Sequence, residues 1–369
     1  MKKLLIDVNS IVSYYVSGRL NGIGRTTLEL IQTLADMDDL PFEIQLYSQN
    51  MRGVGGHNTG LPFKCTHVYL PHRDKWNRIL AKFPIRESLI KYDIMHIPHN
   101  FEYVYQPEKC VVTIHDVMFF SYPEAFLGHD FARKNYPSLA KKAKAIITCS
   151  ENSKTEIVKY MHIDEDKVYV CPWGVDHNLF KPQNFYPNKY TGSKPFFLSV
   201  SCDIGRKNTI SVLKAYEIFV KQQPDHELIL VWRNPPVDIK DYFTKKNFHN
   251  KIHFVSDISN EELSLLYATA TVTFFPSKYE GFGLPLLESM ASGTPVITCK
   301  NSSLTEIGGE AAIYVEPEDW GEMSRWMERL ENKSIDVSTL RKKSLEQASK
   351  FTWKNCADRT KEVYERCLG

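Results

Sequence analysis

Residues 279–297 read YEGFGLPLLESMASGTPVI. An apolar run, VTFFPS (272–277), leads into them and has the length and composition of a buried strand that stops at Pro276. Pro285 suits the first turn of a helix, where a missing N–H costs nothing, and Gly293 suits its end. The residue before Pro285 is Leu284, so the expected helix starts without a Ser, Thr, Asp or Asn cap and its first amides need another partner. Gly281 and Gly283 let a foreign group approach the backbone. An uncapped helix start after a glycine turn at a strand's carboxyl end is an anion site, and open α/β sheets bind ligands at that edge.

Two acids, Glu280 and Glu288, bracket this turn. A carboxylate accepts hydrogen bonds from sugar diols. Each acid taken alone reads as well as a loop residue or a helix-dipole partner. With the two glycines and the missing cap, they point to a ligand.

The same grammar extends along the chain. KLLIDV, FEIQLYS, YDIMHIP, CVVTIHD, KAIITCS and KVYVCP form one series of apolar runs separated by helix-period segments. PFFLSVS, HELILVW, KIHFVS, VTFFP and TPVITC form a second. Short apolar strands alternating with helices imply crossover connections and parallel sheets. The fold class is α/β, with two doubly wound domains. Between the series, LFKPQNFYPNKYTGSKP (179–195) has the composition of a linker. That sets the expected domains at 1–185 and 186–350, followed by an amphipathic helix over 351–369.

At 369 residues the chain exceeds one ordinary core. Its 43% hydrophobic and 24% charged content is that of a soluble globular protein, and a net charge of +2 does not suggest general polyanion binding. Asp7 and Asn9 break the amino-terminal apolar run too early for a signal peptide. The eight cysteines show no Cys-x-x-Cys spacing, which argues against a zinc ribbon or disulfide scaffold and for a reducing, cytoplasmic setting.

The segment FFPSKYEGFGLPLLESMASGTPVITCKNSSLTEIGGEAAIYVEPED (274–319) resembles the signature of the retaining GT-B glycosyltransferases of family four, with its Glu, seven residues, Glu pattern. NGIGRTTLELIQTL (21–34), TIHDVMFF (113–120), CSENSKTEI (149–157), WGVD (173–176) and GRKNTISVLKAYEIF (205–219) extend the likeness in order. The resemblance implies GT-B architecture, two Rossmann-like domains facing across a cleft, with a nucleotide diphosphate sugar (GDP- or UDP-linked) on the carboxyl-terminal domain and the acceptor on the amino-terminal one. It implies that Glu288 holds ribose, that Glu280 holds the donor sugar, and that Gly281, Phe282, Gly283 and Leu284 meet sugar and phosphate. Lys207, with Arg206, would neutralise the leaving diphosphate, and His115 would bond the donor sugar. The Gly22–Gly24 loop, with Arg25 beside it, would approach the phosphates. Asp257 and Ile258 complete the donor-binding set. No cofactor and no metal is implied.

Local chemistry agrees at Lys207. Asn208 is expected to cap the next helix, placing two cations at its positive end, where they need an anion. The sequence departs from the family pattern at Ser201, where relatives carry an arginine or other polar group, and at Trp232-Arg233-Asn234-Pro235-Pro236, where they carry glycine. Asp36–Asp38 and Asp164–Asp166 read Asp-x-Asp but as solvated turns rather than a metal motif. Ser303 and Glu306 read as a capping box, and His99 reads as structural.

HRDKWNRILAKFPIRESLIKY (72–92) is basic and amphipathic. Its apolar face is expected to pack on its own domain, with a peripheral contact to anionic membrane as the other reading. The function expected is metal-independent retaining transfer of a hexose, mannose or glucose, to a growing glycan or lipid-linked glycan of a bacterial polysaccharide or lipopolysaccharide. The enzyme would be cytoplasmic or peripheral at the inner face of the membrane, with no nucleic-acid partner. The alternatives are a small-metabolite GT-B enzyme, a phosphorylase, and a non-catalytic nucleotide- or glycan-binding scaffold.

Overall fold

The computed structural model describes residues 1–12, 22–51, 60–72, 74–125, 128–184, 187–201, 203 and 205–369. Two compact units result, Met1–Gly174 with Trp353–Gly369, and Val175–Thr352.

The first unit holds a seven-stranded sheet of β1 (Lys2–Asp7), β2 (Phe42–Gln49), β3 (Cys65–Val68), β4 (Ile94–Ile97), β5 (Cys110–Thr113), β6 (Ala145–Thr148) and β7 (Val168–Val170), in spatial order β3-β2-β1-β4-β5-β6-β7. Every pairing is parallel, for example Leu4 opposite Ile44 and Ile6 opposite His96. Strands covered on both faces read as nearly continuous apolar runs, and β4, β5 and β6 are buried at every position.

The second unit holds β8 (Phe196–Val200), β9 (Glu227–Val231), β10 (Ile252–Val255), β11 (Val272–Phe275), β12 (Val296–Cys299) and β13 (Ile313–Val315), in order β10-β9-β8-β11-β12-β13, again all parallel. Both sheets therefore change direction of growth beside their first strand, between β1 and β4 and between β8 and β11. Two edge strands, β3 and β13, were not among the expected runs. They are four and three residues long and only partly buried, too short for a periodic signal.

The boundary expected near 185 falls at Gly174/Val175 instead. Composition misleads here because the polar stretch is bound to the second unit. Phe180 is buried against Tyr267, Leu179 accepts a hydrogen bond from Ser264, and Lys189 and Tyr190 both reach Glu262.

Trp353–Leu368 is one helix whose buried residues Trp353, Cys356, Ala357, Thr360, Val363, Tyr364 and Cys367 recur at helical spacing. They share a core with Leu4, Ile6, Leu30, Ile31 and Leu34 of the first unit. Inside it, the Tyr364 hydroxyl and His96 Nδ1 share a hydrogen bond of 2.6 Å, and His96 Nε2 bonds the Thr113 hydroxyl at 2.8 Å. Burial pushes His96 down to about 3, so it is neutral and spans two hydroxyls.

The segment 72–92 forms two short helices, Asp74–Leu80 and Ile85–Leu89. Its apolar face does not pack on its own domain as expected. Trp76 is 51%, Phe83 56% and Leu89 61% exposed, with Ile79 exposed beside them. Among the described residues no helix is long and apolar enough to cross a membrane.

Tyr364→Ala should destabilise the first unit by about 3–5 kcal/mol, since it removes a buried ring and strands His96. Urea unfolding followed by tryptophan fluorescence measures this, and a loss near zero would mean the final helix is only loosely docked.

Candidate active site

The sheet of the second unit changes direction between β8 and β11, and the residues that follow those two strands form the site. After β11 the chain enters 276–283, where Ser277, Tyr279, Glu280, Gly281, Phe282 and Gly283 are all buried. Gly283 has φ +104°, a conformation that L side chains rarely adopt, and an added Cβ would lie 3.0 Å from Leu304 Cδ2. The helix Leu284–Ala291 then starts with Gly283 at its cap position, Pro285 in its first turn and no side-chain cap, as the sequence implies.

The other wall follows β8. Asp203 Oδ1 accepts the Lys207 amide at 3.1 Å, and the Asp203 carbonyl accepts the Thr209 amide at 3.0 Å. Asn208 precedes the helix Thr209–Phe219 but does not cap it with its side chain, contrary to expectation. It adopts φ +54°, and its amide nitrogen donates to the Pro276 and Pro317 carbonyls at 3.2 and 2.5 Å. The residue thus ties three loops together instead of closing one helix.

These walls meet in an ion cluster. Arg206 Nη1 lies 2.6 Å from Glu280 Oε2, and Lys207 Nζ lies 2.7 Å from Glu280 Oε1. Arg206 also donates to the Tyr279 carbonyl at 2.9 Å, and Lys207 lies 4.7 Å from the Phe275 ring centroid. Burial pushes the Glu280 carboxyl up, but Lys207 and then Arg206 outweigh it and hold it below the usual carboxylate range. Burial likewise draws Lys207 down, with Glu280 opposing and Arg206 adding to the fall.

Two serines, neither expected from the sequence to serve this loop, hold the backbone that carries the carboxylate. Ser302 Oγ accepts the Glu280 amide at 3.0 Å, and Ser303 Oγ donates to the carbonyls of Glu280 and Phe282 at 2.9 Å each. Ser303 makes no side-chain cap to its own helix, so the capping-box reading fails. Its hydroxyl serves the neighbouring loop. The signal available was the second serine in NSSLTE, which a capping box does not need.

Glu288 lies one turn along its helix and is 3% exposed, with Tyr267 donating to its Oε2 at 3.3 Å. Asp257, with φ +55°, and Ile258 follow the edge strand β10. Of the expected donor set, Arg206, Lys207 and Glu280 are in direct contact, and Phe282, Gly283 and Leu284 continue the same turn.

In the first unit, Gly22 and Gly24 do not form a loop. They open the helix Gly22–Ala35, Gly24 is buried, and the preceding residues 13–21 lie outside those described. His115 follows β5. Its Nε2 bonds the Pro98 carbonyl at 3.2 Å, so Nε2 carries the proton and Nδ1 is a buried acceptor without a partner. Burial pushes His115 down to about 4, which keeps it neutral. Asp116 caps the next turn through the Met118 amide at 3.0 Å. Of the Asp-x-Asp pairs, Asp36 ends a helix and Asp164 caps the short turn Glu165–Lys167, in line with solvated turns.

Residues 181–351 match the family described as Glycosyl transferases group 1, and residues 20–179 match Glycosyltransferase Family 4. The chain belongs to the group 1, family 4 glycosyltransferases. It is 28% identical to O-antigen chain mannosyltransferase B of Escherichia coli, over 94% of this chain and 96% of that one. It is 29% identical to O-antigen chain mannosyltransferase RfbU of Salmonella typhimurium, over 56% of this chain and 57% of the other. Sucrose-phosphate synthase from Thermosynechococcus elongatus matches with a TM-score of 0.73 at 19% identity, covering 99% of both chains. This last likeness shows the fold, which is of the GT-B type.

Glu280→Gln should remove both ion pairs of this glycosyltransferase. The cost expected is about 2–3 kcal/mol, less than the roughly 3–5 of a fully buried pair because Arg206 keeps 23% of its side-chain exposure. The folded carboxyl is depressed, so the wild-type advantage is full above the ordinary carboxylate range and lost as pH falls through the folded value. Denaturation of both proteins from pH 7 to 3 should show the gap narrowing only at the acid end. A gap that is constant with pH would contradict it.

Proposed function

We propose that this glycosyltransferase is a retaining, metal-independent hexosyltransferase. It moves mannose or glucose from a GDP- or UDP-linked sugar to a growing bacterial surface glycan such as a polysaccharide or lipopolysaccharide. The observation that carries this is Glu280 held between Arg206 and Lys207 beside an uncapped helix start. The name of the Escherichia coli relative supports mannose and an O-antigen acceptor.

The carboxylate occupies the place of an anion. When a nucleoside diphosphate arrives, its phosphates take the two cations and the first helix amides, and Glu280 is freed to accept hydroxyls of the sugar. Glu288 takes the ribose diol, and Asp257 and Ile258 lie along the nucleotide. In the first unit, the unpartnered Nδ1 of neutral His115 accepts a sugar hydroxyl. Two fixed cations neutralise the departing diphosphate, so no divalent ion is needed at that step. No carboxylate is assigned as a nucleophile. The leaving phosphate oxygen takes the proton of the attacking acceptor hydroxyl on the same face, and configuration is retained.

Calorimetric titration with UDP, GDP, ADP and CMP, with and without EDTA, tests the reading. One diphosphate should bind and should survive EDTA. Glu288→Ala should weaken it at least tenfold, while Lys207→Met should cut turnover at least a hundredfold with the fold intact. Equal binding by Glu288→Ala, or binding that needs a metal, would refute the assignments.

The exposed Trp76, Ile79, Phe83 and Leu89, flanked by exposed Lys75, Arg78 and Lys82, support a peripheral contact with an anionic bilayer, where a lipid-linked acceptor would lie. The seven described cysteines are free thiols, which supports a cytoplasmic setting. Trp76 emission should shift to the blue on adding phosphatidylglycerol vesicles but not phosphatidylcholine ones. The double variant Trp76→Ala with Phe83→Ala should lose co-sedimentation. Unchanged partitioning would assign the patch elsewhere.

A further inference from the structure

The first sheet has its own change of direction, between β1 and β4, and a second cluster lies there. Asp7 ends β1 and is fully buried. Its Oδ1 accepts the Asn9 amide at 2.8 Å, and its Oδ2 has no hydrogen-bond partner. His99 follows β4. Its Nδ1 bonds the Phe101 carbonyl at 3.0 Å, which fixes the proton on Nδ1 and leaves Nε2 toward Asp7 Oδ1 at 3.9 Å. That arrangement, a backbone carbonyl orienting one imidazole nitrogen so that the other can ligate, is typical around bound metals. Glu102 is 6% exposed; its Oε1 accepts from Asn77 at 3.2 Å and from the Tyr103 amide at 2.8 Å, and its Oε2 meets His72 Nε2 at 3.1 Å.

One ligand-capable atom from each of Asp7, His99 and Glu102 lies within 4.8 Å of the others. At bond lengths of about 2.0–2.2 Å, two ligand atoms on one tetrahedral ion stand about 3.3–3.6 Å apart, so the three groups draw together on binding. The Asp7–His99 gap of 3.9 Å is too long for a hydrogen bond.

We infer that Asp7, His99 and Glu102 form a divalent transition-metal site in the first unit, suited to zinc or manganese. One imidazole nitrogen with carboxylate oxygens favours these ions over magnesium or calcium. Two carboxylates offset the ion's charge, although part of their own is already shared with the Arg86 guanidinium, which interacts electrostatically with both. Three protein ligands leave a position open for water or a hydroxyl. The site is separate from the metal-independent diphosphate step proposed for the second unit and does not rest on that proposal.

Chelator-stripped full-length protein titrated with Co²⁺ should develop visible absorption that saturates at one equivalent and is displaced by Zn²⁺ but not by Mg²⁺. Asp7→Asn and His99→Gln, each checked for a native circular dichroism spectrum, should weaken binding at least tenfold. X-ray absorption of the zinc-loaded wild type should show one imidazole nitrogen and otherwise oxygen, which keeps the test open should either variant fail to fold. The absence of stoichiometric binding, unchanged binding in both folded variants, or sulfur in the zinc shell would overturn the site and leave the cluster an ion pair. Diphosphate binding measured in EDTA reports on the donor reading alone, so the two can fail separately.

Discussion

Two cations cannot be brought together in a largely buried crevice without an anion, and that constraint organises the second unit. Arg206 and Lys207 lie at the end of β8, Glu280 lies at the end of β11, and the carboxylate touches both. Everything around it restrains Glu280. Ser302 takes its amide, Ser303 takes its carbonyl, and Asn208 stitches the two walls through Pro276. A buried charge cluster is seldom a good source of stability, since desolvation offsets most of the Coulombic gain. Its presence here agrees with the anion site proposed above, in which the protein's own carboxylate stands in for the ligand's charge.

Much of this was legible in the sequence because it rests on short-range signals. Parallel strands buried on both faces show as continuous apolar runs, and most of the central strands appear in that way. The uncapped helix after Gly283 was readable from Leu284, Pro285 and the glycines alone. The acid pair and Lys207 needed the family pattern to become a site, since each residue alone fits a solvated loop.

What the sequence concealed was set by contacts between distant segments. Ser303 and Glu306 have the spacing of a capping box, yet the hydroxyl is drawn to carbonyls more than twenty residues away. Asn208 stands where a cap belongs and spends its amide on Pro276 and Pro317. The polar stretch 179–195 has linker composition and is nonetheless held by Ser264 and Glu262. Helical periodicity in 72–92 predicts a buried face, but periodicity reports only that a face is apolar, and here that face looks to solvent.

The helix Trp353–Leu368 gives the first unit a discontinuous core, with Leu4 and Ile6 covered by side chains translated only after the second unit. Domains ordinarily fold as they leave the ribosome, amino-terminal part first. Here the leading unit emerges with one flank of its sheet uncovered and stays so while the whole of Val175–Thr352 is made. The second unit is therefore the first able to complete its core during synthesis. The nascent first half keeps that apolar surface open to solvent for the interval.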